Sequence, residues 1–103
     1  MNNNTNISGI HHITAIASSA AENLAFYEKV LGLQLVKQTV NFDDPYTYHL
    51  YYGDAAGSPG TIITFFPWEN LPRGKAGAGM VTAIAFSIPK GSIDDWRKQL
   101  DVH

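Results

Sequence analysis

The sequence predicts an α+β fold: a βαβββ module in residues 9–67, then a glycine-rich connection at 68–79, then the first strand and helix of an incomplete second module at 80–103. Three observations carry this reading. Segments rich in β-branched and aromatic residues recur at 9–17, 33–42, 46–52 and 61–66. One capped amphipathic stretch lies between the first and second of them. A strand-then-helix pattern returns after residue 79, at a period of roughly 70 residues judged by element order.

Residues 1–8, beginning with an asparagine-rich stretch, read as a disordered polar terminus. The first strand alternates, placing Ile10, His12, Thr14 and Ile16 on one face and His11, Ile13 and Ala15 on the other. Ser19 followed by Glu22 has the spacing of a capping box. Leu24, Tyr27, Val30 and Leu31 then form a helical apolar stripe, with Gly32 where a left-handed C-terminal cap belongs. Residues 33–42 and 46–52 read as two strands of a hairpin, joined through the turn chemistry of Asp43, Asp44 and Pro45. A Gly, Asp, Ser and Pro loop at 53–60 precedes the fourth strand, 61–66. Beyond the connection, 80–88 is strand-like, and Ser92 with Asp95 resembles a helix start whose apolar face is Ile93, Trp96 and Leu100. This second unit lacks three strands, so a partner copy, strand exchange or further modules are expected to cover its edge.

Composition narrows the function. A charged fraction of 16%, a formal charge of -2 and seven scattered Lys and Arg residues leave no basic stripe for nucleic acid. No apolar run approaches the ~20 residues of a membrane span, and the N-terminus lacks a signal-peptide pattern, so a cytoplasmic protein is expected. Without cysteine, any metal must use His, carboxylate or water ligands.

The segments GIHHITAIA, FYEKVLGL, YHLYYGD and GTIITFFP together resemble the first module of the vicinal oxygen chelate superfamily, which includes glyoxalase I, bleomycin-resistance proteins and extradiol dioxygenases. HHIT, VKQT, YHLYYGD with GSPGTIITFFP, and IPKGSIDDW more specifically resemble the ring-cleaving dioxygenases that open hydroquinones, over about the first third of such an enzyme. The resemblance implies that His12 is a metal ligand and that His11 and Thr14 lie around the active site. The other two ligands, a His and a Glu, belong to a later module of that family. Thr64 stands where glyoxalase-like members carry a carboxylate, so the resemblance does not extend to a glyoxalase I site.

Extradiol cleavage uses Fe(II), or Mn(II), held by two neutral imidazoles and one carboxylate, which leaves coordination positions open for a ring hydroxyl and dioxygen. His12 suits the first ligand. A lone His on an apolar strand is, on residues alone, more often a packed and hydrogen-bonded side chain, and the resemblance is what favours the ligand role. An ideal strand sends His11 off the opposite face, so a role for it near substrate requires a twist or bulge. His49, set among tyrosines, and Phe65, beside Phe66 and Trp68, are the substrate-contact candidates, although packed aromatics are the common alternative. Asp43, Asp44, Asp94 and Asp95 are explained by a turn and a helix start.

The leading expectation is the N-terminal part of an Fe(II)-dependent ring-cleaving dioxygenase of hydroquinones or catechols, inactive alone. A stand-alone dimeric module that binds a small aromatic ligand without catalysis is the competing reading, and an inert fragment a third.

Overall fold

The alternation of the first strand is kept in the computed structural model, which describes residues 6–40 and 48–103. In β1 (His12–Ala17), Ile13, Ala15 and Ala17 are half-buried while His12, Thr14 and Ile16 are exposed. The helix after it begins as predicted: the Glu22 N–H donates to the Ser19 hydroxyl at 3.2 Å, satisfying an amide that the first turn leaves unpaired.

The helix departs from expectation in its second half. α1 (Ala20–Leu24) passes into a π-helical turn, Ala25–Val30, marked by the Leu31 N–H donating five residues back to the Phe26 carbonyl at 3.0 Å. Over six residues the two helical periods place apolar side chains too similarly to be told apart by pattern. Gly32 then adopts φ 72°, and Gly32 and Leu33 donate back to the Glu28 and Tyr27 carbonyls at 3.1 and 2.9 Å. That left-handed turn is the cap the sequence predicted.

Three further strands, β2 (Gln34–Val40), β3 (Tyr48–Gly53) and β4 (Ile62–Pro67), complete one sheet in the order β1-β4-β3-β2. β1 runs parallel to β4, and the other two pairs are antiparallel. β2 and β3 are hairpin neighbours, with a register irregularity between Leu35 and Lys37. The predicted Asp43-Asp44-Pro45 turn lies outside the described residues.

The period of two gives the sheet two chemically different faces. On one, Leu50, Tyr52, Ile63 and Phe65 are buried, and Ala20 and Tyr27 of the helix pack on them with Ile13, Ala15, Ala17, Leu33 and Leu35. The Tyr27 ring lies 5.3 Å from that of Tyr52 and 4.6 Å from that of Phe65. Burying each such side chain contributes about 1.5–3 kcal/mol, which fixes the helix to this face and leaves the other open.

Tyr52, 0% exposed, is the centre of this core, and its hydroxyl donates to the Asn23 Oδ1 at 2.8 Å. Burial foremost, then the charges of Glu28 and Tyr27, pushes its pKa up to about 12 from 10.0. The folded state therefore holds a proton that the unfolded chain releases near pH 10. This stability is fully present below pH 10 and is lost as pH rises toward 12, by roughly 2–3 kcal/mol. Urea midpoints measured between pH 9 and 12 are expected to fall less steeply for Tyr52→Phe than for the parent. The variant should be about 1–3 kcal/mol less stable at neutral pH, because Asn23 loses its partner in a buried position.

By contact pattern the chain divides into Met1–Asn70 and Leu71–His103. In the second unit, α2 (Ile93–Val102) starts where predicted, the Trp96 N–H donating to the Ser92 carbonyl at 3.0 Å. The Ser92 hydroxyl donates to the Pro89 carbonyl at 2.6 Å and does not cap the helix. Residues 80–88 correct the sequence reading, for they form no strand. Strand-favouring residues become a strand only when a neighbour offers a ladder, and this stretch pairs with none among the described residues. Met80, Val81, Ile84, Phe86 and Ile88 are consequently exposed. Among the described residues, no helix is long and apolar enough to cross a membrane.

Candidate functional site

The sheet face opposite the helix gathers the polar and aromatic side chains of all four strands. Register sets them side by side: Thr14 is opposite Thr64, Thr64 opposite Tyr51, Tyr51 opposite Lys37, and His49 opposite Thr39. His12 shares the β1 face of Thr14, as the alternation predicted.

His11 and His12 form a pair at the start of β1. Their Nδ1 atoms are 3.1 Å apart and their rings meet edge to face with centroids at 5.3 Å. β1 begins only at His12, so His11 escapes the alternation that would have sent it to the far side. Its backbone is fixed from the loop before β4, where the Gly60 N–H donates to the His11 carbonyl at 2.7 Å. Within that loop the Asp54 carboxylate accepts the Ser58 N–H at 2.8 Å, and this bond holds the Asp54 pKa below its ordinary value.

The contact between the two imidazoles requires one Nδ1 to carry a proton and the other a lone pair. With the proton on His12, His11 is the acceptor that orients it, and the His12 Nε2 has no hydrogen-bond partner among the described residues. That is the state a metal-binding imidazole needs. No group of three or more His, Cys, Asp or Glu side chains converges on a single point among the described residues. These residues thus fit one neutral nitrogen ligand of a divalent metal, not a complete ligand set.

Beside the pair runs a line of hydrogen bonds. The Thr14 and Thr64 hydroxyls are 2.6 Å apart, the Thr64 Oγ1 is 3.0 Å from the His49 Nε2, and the His49 Nδ1 is 3.0 Å from the Tyr51 hydroxyl. Thr64 is fully buried, 0% exposed, whereas Thr14 opens to solvent. The His49 ring stacks on Phe66 with centroids 4.0 Å apart, and the Lys37 ammonium sits 5.4 Å from the Tyr51 ring centre. Burial first, then the charges of His12 and Lys37, lowers the His49 pKa from 6.5, so this imidazole is neutral at neutral pH.

The predicted site residues therefore separate. His11, His12, Thr14 and His49 come together on or beside the open face. Phe65 does not: it is 5% exposed, faces the helix and packs against Tyr27, a correction that follows from its place one residue out of phase with Thr64 and Phe66. Of the two adjacent phenylalanines, Phe66 is the one that reaches this face. Thr64, Tyr51 and Lys37 were not singled out as site residues from the sequence. The period-two phase of the third and fourth strands, taken from His49 and Thr64, is the signal that would have found them.

Comparison with known proteins agrees with the geometry. The Glyoxalase/Bleomycin resistance protein/Dioxygenase superfamily matches residues 9–100. A Bacillus subtilis protein provisionally named ring-cleaving dioxygenase MhqO is 58% identical over 93 residues, covering 90% of this chain and 30% of the relative. The chlorohydroquinone/hydroquinone 1,2-dioxygenase of Sphingobium indicum is 38% identical over 96 residues, covering 91% of this chain and 30% of that enzyme. The chain thus spans about 30% of the length of these relatives. The crystal structure of a Bacillus subtilis protein provisionally described as a dioxygenase superposes with a TM-score of 0.88 at 57% identity, over 91% of this chain and 30% of that one. The fosfomycin resistance protein FosX of Listeria monocytogenes, solved with Mn(II) and sulfate, shares the fold at a TM-score of 0.64 and 19% identity, over 93% of this chain and 71% of its own. With its βαβββ sheet, its open polar face and a match across residues 9–100, the chain belongs to the Glyoxalase/Bleomycin resistance protein/Dioxygenase superfamily.

Proposed function

We propose that this chain is the first module of a cytoplasmic, Fe(II)-dependent ring-cleaving dioxygenase acting on hydroquinones or catechols. His12 donates one metal ligand through Nε2, and His11 orients it. Further modules or a second copy donate the remaining ligands. The observation that carries the reading is the open sheet face itself, where a His with a free ring nitrogen shares a surface with the Phe66 and His49 rings and the Thr14 hydroxyl.

When bound, the metal supplies coordination positions open to the two reactants and lowers the pKa of a ring hydroxyl; Mn(II) satisfies the same ligand chemistry. The chain's own residues bind and orient the ring. The Phe66 and His49 rings offer flat apolar surface to an aromatic substrate, and Thr14 offers a hydroxyl able to donate to or accept from a ring hydroxyl.

The test is a chimera in which residues 1–103 replace the matching N-terminal part of MhqO. After loading with Fe(II), it is expected to consume oxygen when hydroquinone is added, whereas the 103-residue chain alone does not. A folded, iron-loaded chimera without uptake defeats the proposal. So does a metal-free dimer of the chain that binds hydroquinone tightly, the behaviour of a sequestering module.

A further inference from the structure

Four side chains on the open face are joined without a gap: Thr14, Thr64, His49 and Tyr51, spanning β1, β4 and β3 through contacts of 2.6, 3.0 and 3.0 Å. Each interior member has one donor and one acceptor facing its two neighbours, so the chain has two self-consistent directions. In the first, Tyr51 donates to the His49 Nδ1, the His49 Nε2–H donates to Thr64, Thr64 donates to Thr14, and Thr14 points its own proton outward. In the second, Thr14 donates to Thr64, Thr64 donates to the His49 Nε2, the His49 Nδ1–H donates to Tyr51, and Thr14 presents a lone pair. A neutral imidazole satisfies both directions, one tautomer for each.

We propose that this line is a proton relay in which Thr14 takes the proton of a substrate ring hydroxyl and Thr64 hands it on to His49. The inference rests on the ring-cleaving reading for the identity of the substrate, though not for the relay itself. In the step, the ring O–H bond breaks as an O–H bond forms on Thr14. The Thr14 proton passes to Thr64 and the Thr64 proton passes to the His49 Nε2. The products are a ring hydroxylate and an imidazolium whose Nδ1–H is shared with Tyr51. Transfer of that second proton to Tyr51, with the Tyr51 proton released to water, restores a neutral imidazole in the other tautomer.

Three observations support the relay over simple strand packing. Thr64 is completely buried, and both of its contacts lie along this line. Its end nearest His12 opens to solvent at Thr14. The His49 ring is also held in line, its Nε2 3.0 Å from the Thr64 hydroxyl, its Nδ1 3.0 Å from the Tyr51 hydroxyl and its face stacked on Phe66. Thr64 is a positioning residue here, acting through Thr14 and His49.

The direct test uses the 103-residue chain by NMR, with no turnover required. As His49 is protonated, both of its nitrogens become donors: Tyr51 must then accept from Nδ1–H, and the Thr64–Thr14 part of the line is forced into its first direction. The Thr14 and Thr64 side-chain resonances are therefore expected to shift with the His49 midpoint. Thr64→Val, nearly isosteric, should abolish the Thr14 response while leaving the Thr14 backbone shifts in place, and Thr64→Ser should restore it. A Thr14 response that persists in Thr64→Val, or that is absent in the parent chain, overturns the relay. In the MhqO chimera the same Val substitution should lower kcat about a hundredfold with KM changed less than about threefold, and Ser should recover most of the loss. A kcat unchanged by Thr64→Val also overturns it. A chimera that never turns over, in a chain whose Thr14 follows His49, counts against the dioxygenase reading and leaves the relay standing.

Discussion

His12→Ala in the iron-loaded chimera is expected to reduce iron retention and hydroquinone-dependent oxygen uptake together, each by on the order of a hundredfold or more. The magnitude follows from the weaker case: removing a group that merely orients a metal ligand already costs about 10–100-fold in affinity or activity, and a ligand contributes more. His11→Ala supplies that weaker case within this protein. It removes the acceptor 3.1 Å from the His12 Nδ1 and leaves the ligand itself in place, so an intermediate loss of iron is expected. His12 is exposed at the first position of β1, so the variant should keep the parent's urea midpoint. Emission spectroscopy for iron and an oxygen electrode for turnover read the two quantities. Retention of both in a folded His12→Ala chimera removes His12 from the metal site.

Strand phase was the most legible feature of the sequence, and it was worth most at β1. Alternation alone put His12 and Thr14 on one face, and the structure places them so. The Ser19 cap and the Gly32 turn were legible because each depends on one residue type in one backbone geometry. Other features were not legible, for different reasons. The π turn at Ala25–Val30 shifts hydrogen bonds without altering the apolar pattern that sequence reasoning uses. The fate of residues 80–88 depends on a neighbouring strand, which composition does not encode. The hydrogen-bonded line through Thr64 and Tyr51 was hidden because it requires the sheet order β1-β4-β3, a nonlocal pairing that joins residues 50 positions apart. His11 was misdirected by applying the alternation one residue before the strand begins.

Phe65 and Phe66 are adjacent in sequence, yet opposite results are expected from truncating them. Phe65 packs its ring at 4.6 Å from Tyr27 on the helix-covered face, so Phe65→Ala opens a cavity at the centre of a small core. The expected cost is about 3–5 kcal/mol, a large part of the 5–15 kcal/mol that stabilises a typical domain. Phe65→Leu keeps most of the volume and should cost less than about 1.5 kcal/mol, which leaves a folded protein to measure even where the alanine variant unfolds. Phe66 lies on the open face against the His49 ring, half-buried, and its loss removes one stacked pair and little core. Phe66→Ala should therefore cost about 1–2 kcal/mol of stability and weaken hydroquinone binding by the chimera about three- to tenfold in calorimetric titration. Phe65→Leu should bind hydroquinone as the parent does. The reverse pattern, a stable Phe65→Ala with weakened binding, would mean that the substrate meets the helix side of the sheet, and would move the candidate site away from His12 altogether.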